Sequence, residues 1–120
     1  DAIYVSTDNQ VVSALSALTQ VATQAGVPVL SADPSSALEN PVFLAWGFDW
    51  YAIGRRTGEL VDEILEGADT SQIPTLLFDD PARMEMLINL DVAEELGIEV
   101  PDAVVESADR VIMDGELVEQ

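Results

Sequence analysis

Short apolar runs that each stop at a polar cluster, with helical periods set between them, leave this chain few architectures. Residues 2–6, 27–31, 41–48 and 73–78 are apolar over most of their length. They are too short for helices and too continuously apolar for strands with one wet face, so they read as strands buried in a parallel sheet. Residues 10–25 carry Val11, Val12, Leu15, Leu18, Val21, Ala22 and Ala25 on one face at a period of 3.6, with Asp8 or Asn9 as N-cap and Gly26 just past the end. Residues 51–66 place Ile53, Leu60, Val61, Ile64 and Leu65 on a second stripe, capped by Asp49 and closed by Gly67. Asn89 opens a third helix, with Asp91 in its first turn and Gly97 at its end. The stretches Asp33-Pro34-Ser35-Ser36 and Asp79-Asp80-Pro81 read as turns. A short helix over residues 102–107 and an extended run over 110–113 complete the chain. Strand, helix, strand, strand, helix, strand, helix predicts an α/β fold, a parallel sheet flanked by helices.

At 120 residues the chain is sized for one compact core, and 48% apolar residues can fill it. Charge narrows the function further. Asp and Glu number 23 against four arginines, Arg55, Arg56, Arg83 and Arg110, with no lysine, for a formal net charge of −19. A field of that sign repels nucleic acid and anionic lipid, so neither is expected as a partner. It also predicts a compact state that gains from salt, as in a salt-adapted organism. Cysteine and histidine are both absent, which removes disulfides, thiolate and Ser-His nucleophiles, and the usual zinc sites. No glycine-rich phosphate loop occurs, because Gly47, Gly54 and Gly58 match neither G-x-G-x-x-G nor the P-loop spacing. No cofactor and no metal are implied. No apolar run approaches 18 residues, no leader is evident, and the opening at Asp1 in strand-like sequence is what a truncated or cleaved chain would show.

In open α/β sheets, ligands bind beyond the carboxyl ends of the strands. Here those ends carry Thr7, Asp8 and Asn9, then Asp33, then Asp49, with Trp46, Trp50 and Tyr51 close enough in sequence to form an apolar wall. Such a crevice suits a small solute with an amino group and an apolar or aromatic body. Each Asp has a simpler role as a helix cap; capping by one oxygen is compatible with binding by the other. Trp46 reads first as a core residue, whereas Trp50 and Tyr51 follow the strand and are the better ligand candidates. Arg55 and Arg56 read as surface partners of Glu59 or Asp62, and second as contacts for a solute carboxylate. Asp79-Asp80 resembles the acidic pair of a phosphoacceptor domain, but the lysine that chemistry needs is missing. Nothing in the spacing singles out an acid, a base and a nucleophile, so no enzyme is expected.

The segments Asp1-Ala-Ile-Tyr-Val-Ser-Thr-Asp-Asn9, Val27-Pro-Val-Leu-Ser-Ala-Asp-Pro34, Gly47-Phe-Asp-Trp-Tyr-Ala-Ile-Gly54 and Ile88-Asn-Leu-Asp-Val-Ala-Glu-Glu-Leu-Gly97 resemble, in order, the C-terminal half of ABC-transporter substrate-binding proteins of the tryptophan- and tyrosine-binding kind. The resemblance implies a type I periplasmic-binding fold, with two lobes closing on a solute and this chain holding most of the second. It implies that the 51–67 helix belongs to the other lobe, and that Thr7, Asp33 and Asp49 stand where related sugar binders place ligand contacts. It further implies an extracytoplasmic, membrane-anchored whole protein with an ABC permease as partner. The fragment is expected to pair with its missing N-terminal half or to self-associate. A ligand-sensing domain of the same fold, in a repressor or a receptor ectodomain, is the alternative.

Overall fold

A computed structural model describes residues 1–77 and 84–120. They fall into two compact units, Asp1–Gly47 with Glu85–Gln120, and Phe48–Met84.

The first unit is built on a six-stranded sheet whose spatial order follows the sequence: β1 (Ile3–Val5), β2 (Val29–Ser31), β3 (Leu44–Phe48), β4 (Met84–Asn89), β5 (Arg110–Met113) and β6 (Glu116–Glu119). β1 runs parallel to β2, β2 to β3, and β4 to β5, while β6 returns antiparallel at the edge. The expected parallel sheet flanked by helices is therefore present, with one antiparallel strand added. Val5, Val29, Ala45 and Leu87 form one core cluster with Leu15, Ala22, Ala37 and Val42; Ile88, Ala108 and Val111 form another. Leu87 and Ile88 are consecutive on β4 and so point to opposite faces. The clusters therefore lie on opposite sides of the sheet. Leu15, Leu87 and Ile88 are fully buried, each contributing about 1.5–3 kcal/mol by transfer from water.

Several expectations are corrected. The helix over 10–25 is two, α1 (Asn9–Ser13) and α2 (Leu15–Gln24), broken at Ala14 with φ −103° and ψ 7°. Ser13 Oγ donates to the Gln10 carbonyl at 2.7 Å and the Ala14 amide to that of Val11 at 3.0 Å, which tightens the last turn of α1 and ends it. Asp33-Pro34-Ser35-Ser36 forms not an open turn but the short helix α3 (Pro34–Ala37), started by Pro34 and the Asp33 cap. Among the described residues the fourth strand is β4, whereas the expectation was residues 73–78. Residues 73–77 hold no strand, and Phe78 with Asp79-Asp80-Pro81 lies outside the described residues. Trp46 is 47% exposed, because side chains alternate along β3 and its neighbours Ala45 and Gly47 take the buried face.

After β4 come α5 (Leu90–Glu95), capped by Asn89, and α6 (Asp102–Val105). Leu90, Val100 and Val105 pack onto the Ile88 cluster. Among its described residues the second unit holds α4 (Trp50–Leu65) and a 3-10 turn, Thr70–Gln72. α4 has no buried residue, and Leu65 is 80% exposed.

Candidate functional site

Parallel strands deliver their carboxyl ends to one edge of a sheet. Val5 at the end of β1 pairs with Ser31 at the end of β2, so Thr7, Asp8 and Asn9 leave that edge beside Asp33. The first three are exposed and Asp33 is half-buried.

Each acid is held by the helix it starts. Asp8 Oδ1 accepts from the amides of Gln10 at 2.8 Å and Val11 at 3.1 Å. Asp33 Oδ1 accepts from the Ser35 amide at 3.2 Å and the Ser35 hydroxyl at 2.7 Å. The loop under Asp33 is fastened by two serines that sequence reasoning passed over. Ser31 Oγ, at the end of β2, accepts from the Asp33 amide and lies 3.1 Å from Ser36 Oγ, which donates to the Asp33 carbonyl at 2.7 Å. Both serines are buried, and their spacing of two before and three after Asp33 was the available signal.

In the second unit, Asp49, Trp50 and Tyr51 open α4. Asp49 Oδ1 accepts from the Ala52 amide at 2.9 Å. Trp50 and Tyr51 are 53% and 81% exposed, and Phe48 meets the Trp50 ring edge-on at a centroid distance of 5.7 Å. The expected residues thus fall into two groups, Thr7, Asp8, Asn9 and Asp33 at the sheet edge, and Asp49, Trp50 and Tyr51 at the start of α4.

The α4 arginines are committed to the helix's own acids. Arg55 reaches Glu59 at 3.7 Å; Arg56 reaches Glu59 at 3.1 Å and Glu63 at 2.9 Å. Glu63, two turns on, takes the place expected for Asp62. The hydrogen bonds to Glu63 and then Glu59 raise the Arg56 guanidinium further above its ordinary value. At the sheet edge of the first unit, carboxylates, a hydroxyl and an amide can hold an amine by hydrogen bonds and charge; at the start of α4 in the second unit, a carboxylate and exposed aromatic rings offer charge and stacking. Among the described residues no three acids gather to hold a metal ion. A separate concavity of about 440 Å³ lies between α5 and α6, floored by Leu90, Ile98, Val100 and Val105; none of the expected residues lines it.

The family described as ABC transporter substrate binding protein matches residues 1–112. A tyrosine-binding protein of Clostridioides difficile is 30% identical over 99 residues, covering 82% of this chain and 28% of that protein. Among solved structures, a conserved domain protein of Vibrio cholerae superposes with a TM-score of 0.78 at 34% identity, covering 94% of this chain and 36% of that one. An ABC domain from Streptococcus pneumonia in complex with L-Trp superposes with a TM-score of 0.79 at 27% identity, covering 93% and 37%. The chain therefore spans roughly a third of the length of these relatives.

Proposed function

The chain belongs to the ABC transporter substrate-binding protein family, and on that premise we propose that it is part of a protein that captures a small solute and hands it to an ABC permease. The solute is an amine with an apolar body, an aromatic amino acid being the best fit. Its amino group is held by the carboxylates of Asp8, Asp33 and Asp49, with Thr7 and Asn9 completing the polar edge. Trp50 and Tyr51 stack on its body. The observation that carries this reading is the in-register end of β1 and β2, which sets Thr7, Asp8 and Asn9 beside Asp33 at the carboxyl edge of the sheet. The names of two relatives, a tyrosine-binding protein and a complex with L-Trp, support the solute class.

Binding occurs between two lobes, and their closure is what the permease recognises. The apolar stripe of α4, in which no residue is buried, supports assigning that helix to the lobe outside this chain. The solute is returned unchanged, so the protein is no enzyme, and it works outside the cytoplasm as an anchored component.

The test uses the longer protein with Asn and with Ala at positions 8, 33 and 49, titrated calorimetrically with tyrosine and tryptophan. Asn keeps a helix cap but removes the charge. Each Asn variant should lose about 1–3 kcal/mol of affinity with little loss of stability. Wild-type affinity in all three would end this assignment of the site.

A further inference from the structure

The helices α5 and α6 each turn one face toward the space between them. Spacings of three and four positions put Leu90, Ala93 and Glu94 together on α5, and Asp102, Val105 and Glu106 together on α6 and its cap. Ala93 is buried, Leu90 and Val105 are half-buried, and the three acids are exposed. The apolar side chains therefore lie deep, and the carboxylates form the rim on both walls.

The connection between the helices fixes this groove. Gly97 takes φ 65°; its amide donates to the Glu94 carbonyl at 3.0 Å, and the Ile98 amide donates to that of Ala93 at 2.8 Å. That closure folds the chain back across the end of α5, so Ile98 and Val100 join the floor. Leu90, Val100 and Val105 pack on Ile88, Ala108 and Val111 beneath them. The floor is thus part of the close-packed core, and the concavity of about 440 Å³ is preformed. It is open along its length, which suits a segment laid into it better than a small molecule that a pocket must enclose.

The rim has one sign of charge and no internal counter-ion. Among the described residues every arginine is engaged elsewhere, Arg55 and Arg56 with Glu59 and Glu63, and Arg110 with Glu85. The chain has no lysine. Nor are the rim acids gathered for a metal, since among the described residues no three acids come together to hold one. They are spread along two walls, as separate cationic side chains would require.

We propose that the groove between α5 and α6 docks a basic amphipathic helix of a partner protein. Two aliphatic side chains of that helix, one turn apart, enter over Leu90, Ile98, Val100 and Val105. Arginines or lysines beside them lay their apolar stems on the walls and meet Glu94, Asp102 and Glu106 at the rim. The docking surface is independent of the solute site, whose residues lie elsewhere.

The test is a methyl-detected NMR titration of the longer protein, in about 0.15 M salt, with a short helical peptide carrying two leucines one turn apart and arginines on either side. The methyl groups of Ile98, Val100 and Val105 should shift and saturate. The same peptide with serine for both leucines should leave them in place, because charge alone does not seat a segment in the groove. Replacing the three rim acids together, Glu94→Gln, Asp102→Asn and Glu106→Gln, should weaken the leucine peptide by about tenfold. Glu116→Gln with Glu119→Gln, which removes charge from β6 instead, should change it by less than about twofold. Methyl groups that stay still overturn the proposal. So does a serine peptide that moves them equally, or an equal loss in the two charge variants, since either means general attraction to an acidic surface. If hexylammonium moves the same methyl groups at a lower concentration than the peptide, the occupant is a small amine, and the proposal falls.

Discussion

Gly47 on β3 lies so close to the carbonyl of Ala32 that a side chain at 47 would collide with it. A Cβ there would also meet the Ala32 carbonyl carbon at 2.8 Å and Pro34 Cδ at 3.0 Å. The obstacles are backbone and a buried proline ring, so neither yields by changing a rotamer. The same approach seats the loop carrying Asp33 against the end of β3. Gly47→Ala should therefore cost about 1–3 kcal/mol or more and displace Asp33, lowering solute affinity in the longer protein as well. Gly54→Ala and Gly58→Ala are the controls. A Cβ at either position of α4 meets nothing within 4 Å, and each should gain about 0.5–1 kcal/mol of helix stability. Denaturant melts of the three variants decide the matter; equal behaviour of all three would mean that the contact at Gly47 does not exist in solution.

The hairpin at the far edge hangs on a single carboxylate. Asp91 Oδ1 accepts from the Asp114 amide at 2.8 Å and Oδ2 from the Gly115 amide at 2.9 Å, tying the first turn of α5 to the turn between β5 and β6. Asp91→Ala removes two charge-assisted bonds at a half-buried site, and about 1–2 kcal/mol should be lost. Because β6 makes its described sheet contacts with β5 alone, the loss should appear first as faster amide exchange in residues 116–119. Uniform destabilisation with β6 still protected would show that the carboxylate does not hold the turn.

How much of this was legible in the sequence depends on whether a local signal or a distant partner decided the outcome. The caps Asp8, Asp49 and Asn89 were readable, since a short polar side chain before an apolar period has few other uses. Gly26, Gly67 and Gly97 all take positive φ at helix ends, as their positions implied. β4 was missed because Met84-Glu85-Met86 lacks β-branched residues and carries a charge. Arg110, from the neighbouring strand, neutralises Glu85, and nothing near Glu85 in sequence announces that partner. β6 was missed although its signal was local. Asp114 and Gly115 adopt φ 55° and 75°, the two-residue turn that Asp-Gly favours, but the acidic flank disguised the strand. For the site, the tips after β1 and β2 followed from strand order, whereas the Ser31–Ser36 fastening under Asp33 depends on how α3 folds back.

Asp69 gives a pH prediction confined to one turn. The Ser71 hydroxyl, and then the Ser71 amide at 2.9 Å, bond its carboxylate and hold it below the ordinary aspartate value. A depressed carboxyl pKa stabilises the folded form above the unfolded pKa, and that contribution disappears as pH falls through the folded one. The Thr70–Gln72 turn should therefore persist through mild acid and loosen only below the usual carboxylate range. The Asp69 carboxyl should titrate by NMR at lower pH in the native chain than in Ser71→Ala. Identical midpoints in the two proteins would remove the cause named here.

The response to salt should be the largest bulk property of this chain. A net charge of −19 on 120 residues is only locally relieved by its arginines, since Arg55 and Arg56 engage Glu59 and Glu63 on α4 and Arg110 engages Glu85. The other acids repel one another over distances that salt can shorten, from a screening length of about 10 Å at 0.1 M to about 3 Å at 1 M. Melting in potassium chloride should rise by on the order of 5–10 °C over that interval, corresponding to about 1–2 kcal/mol for a domain near this size. Screening alone would deliver most of the rise below about 0.5 M, because the screening length has by then fallen to the spacing of neighbouring surface charges. A neutral osmolyte at matched osmolality should reproduce little of it. A melting temperature that stays flat from dilute buffer to molar salt would mean that the acidic surface is not self-repelling, and the salt-adapted reading would have to be abandoned.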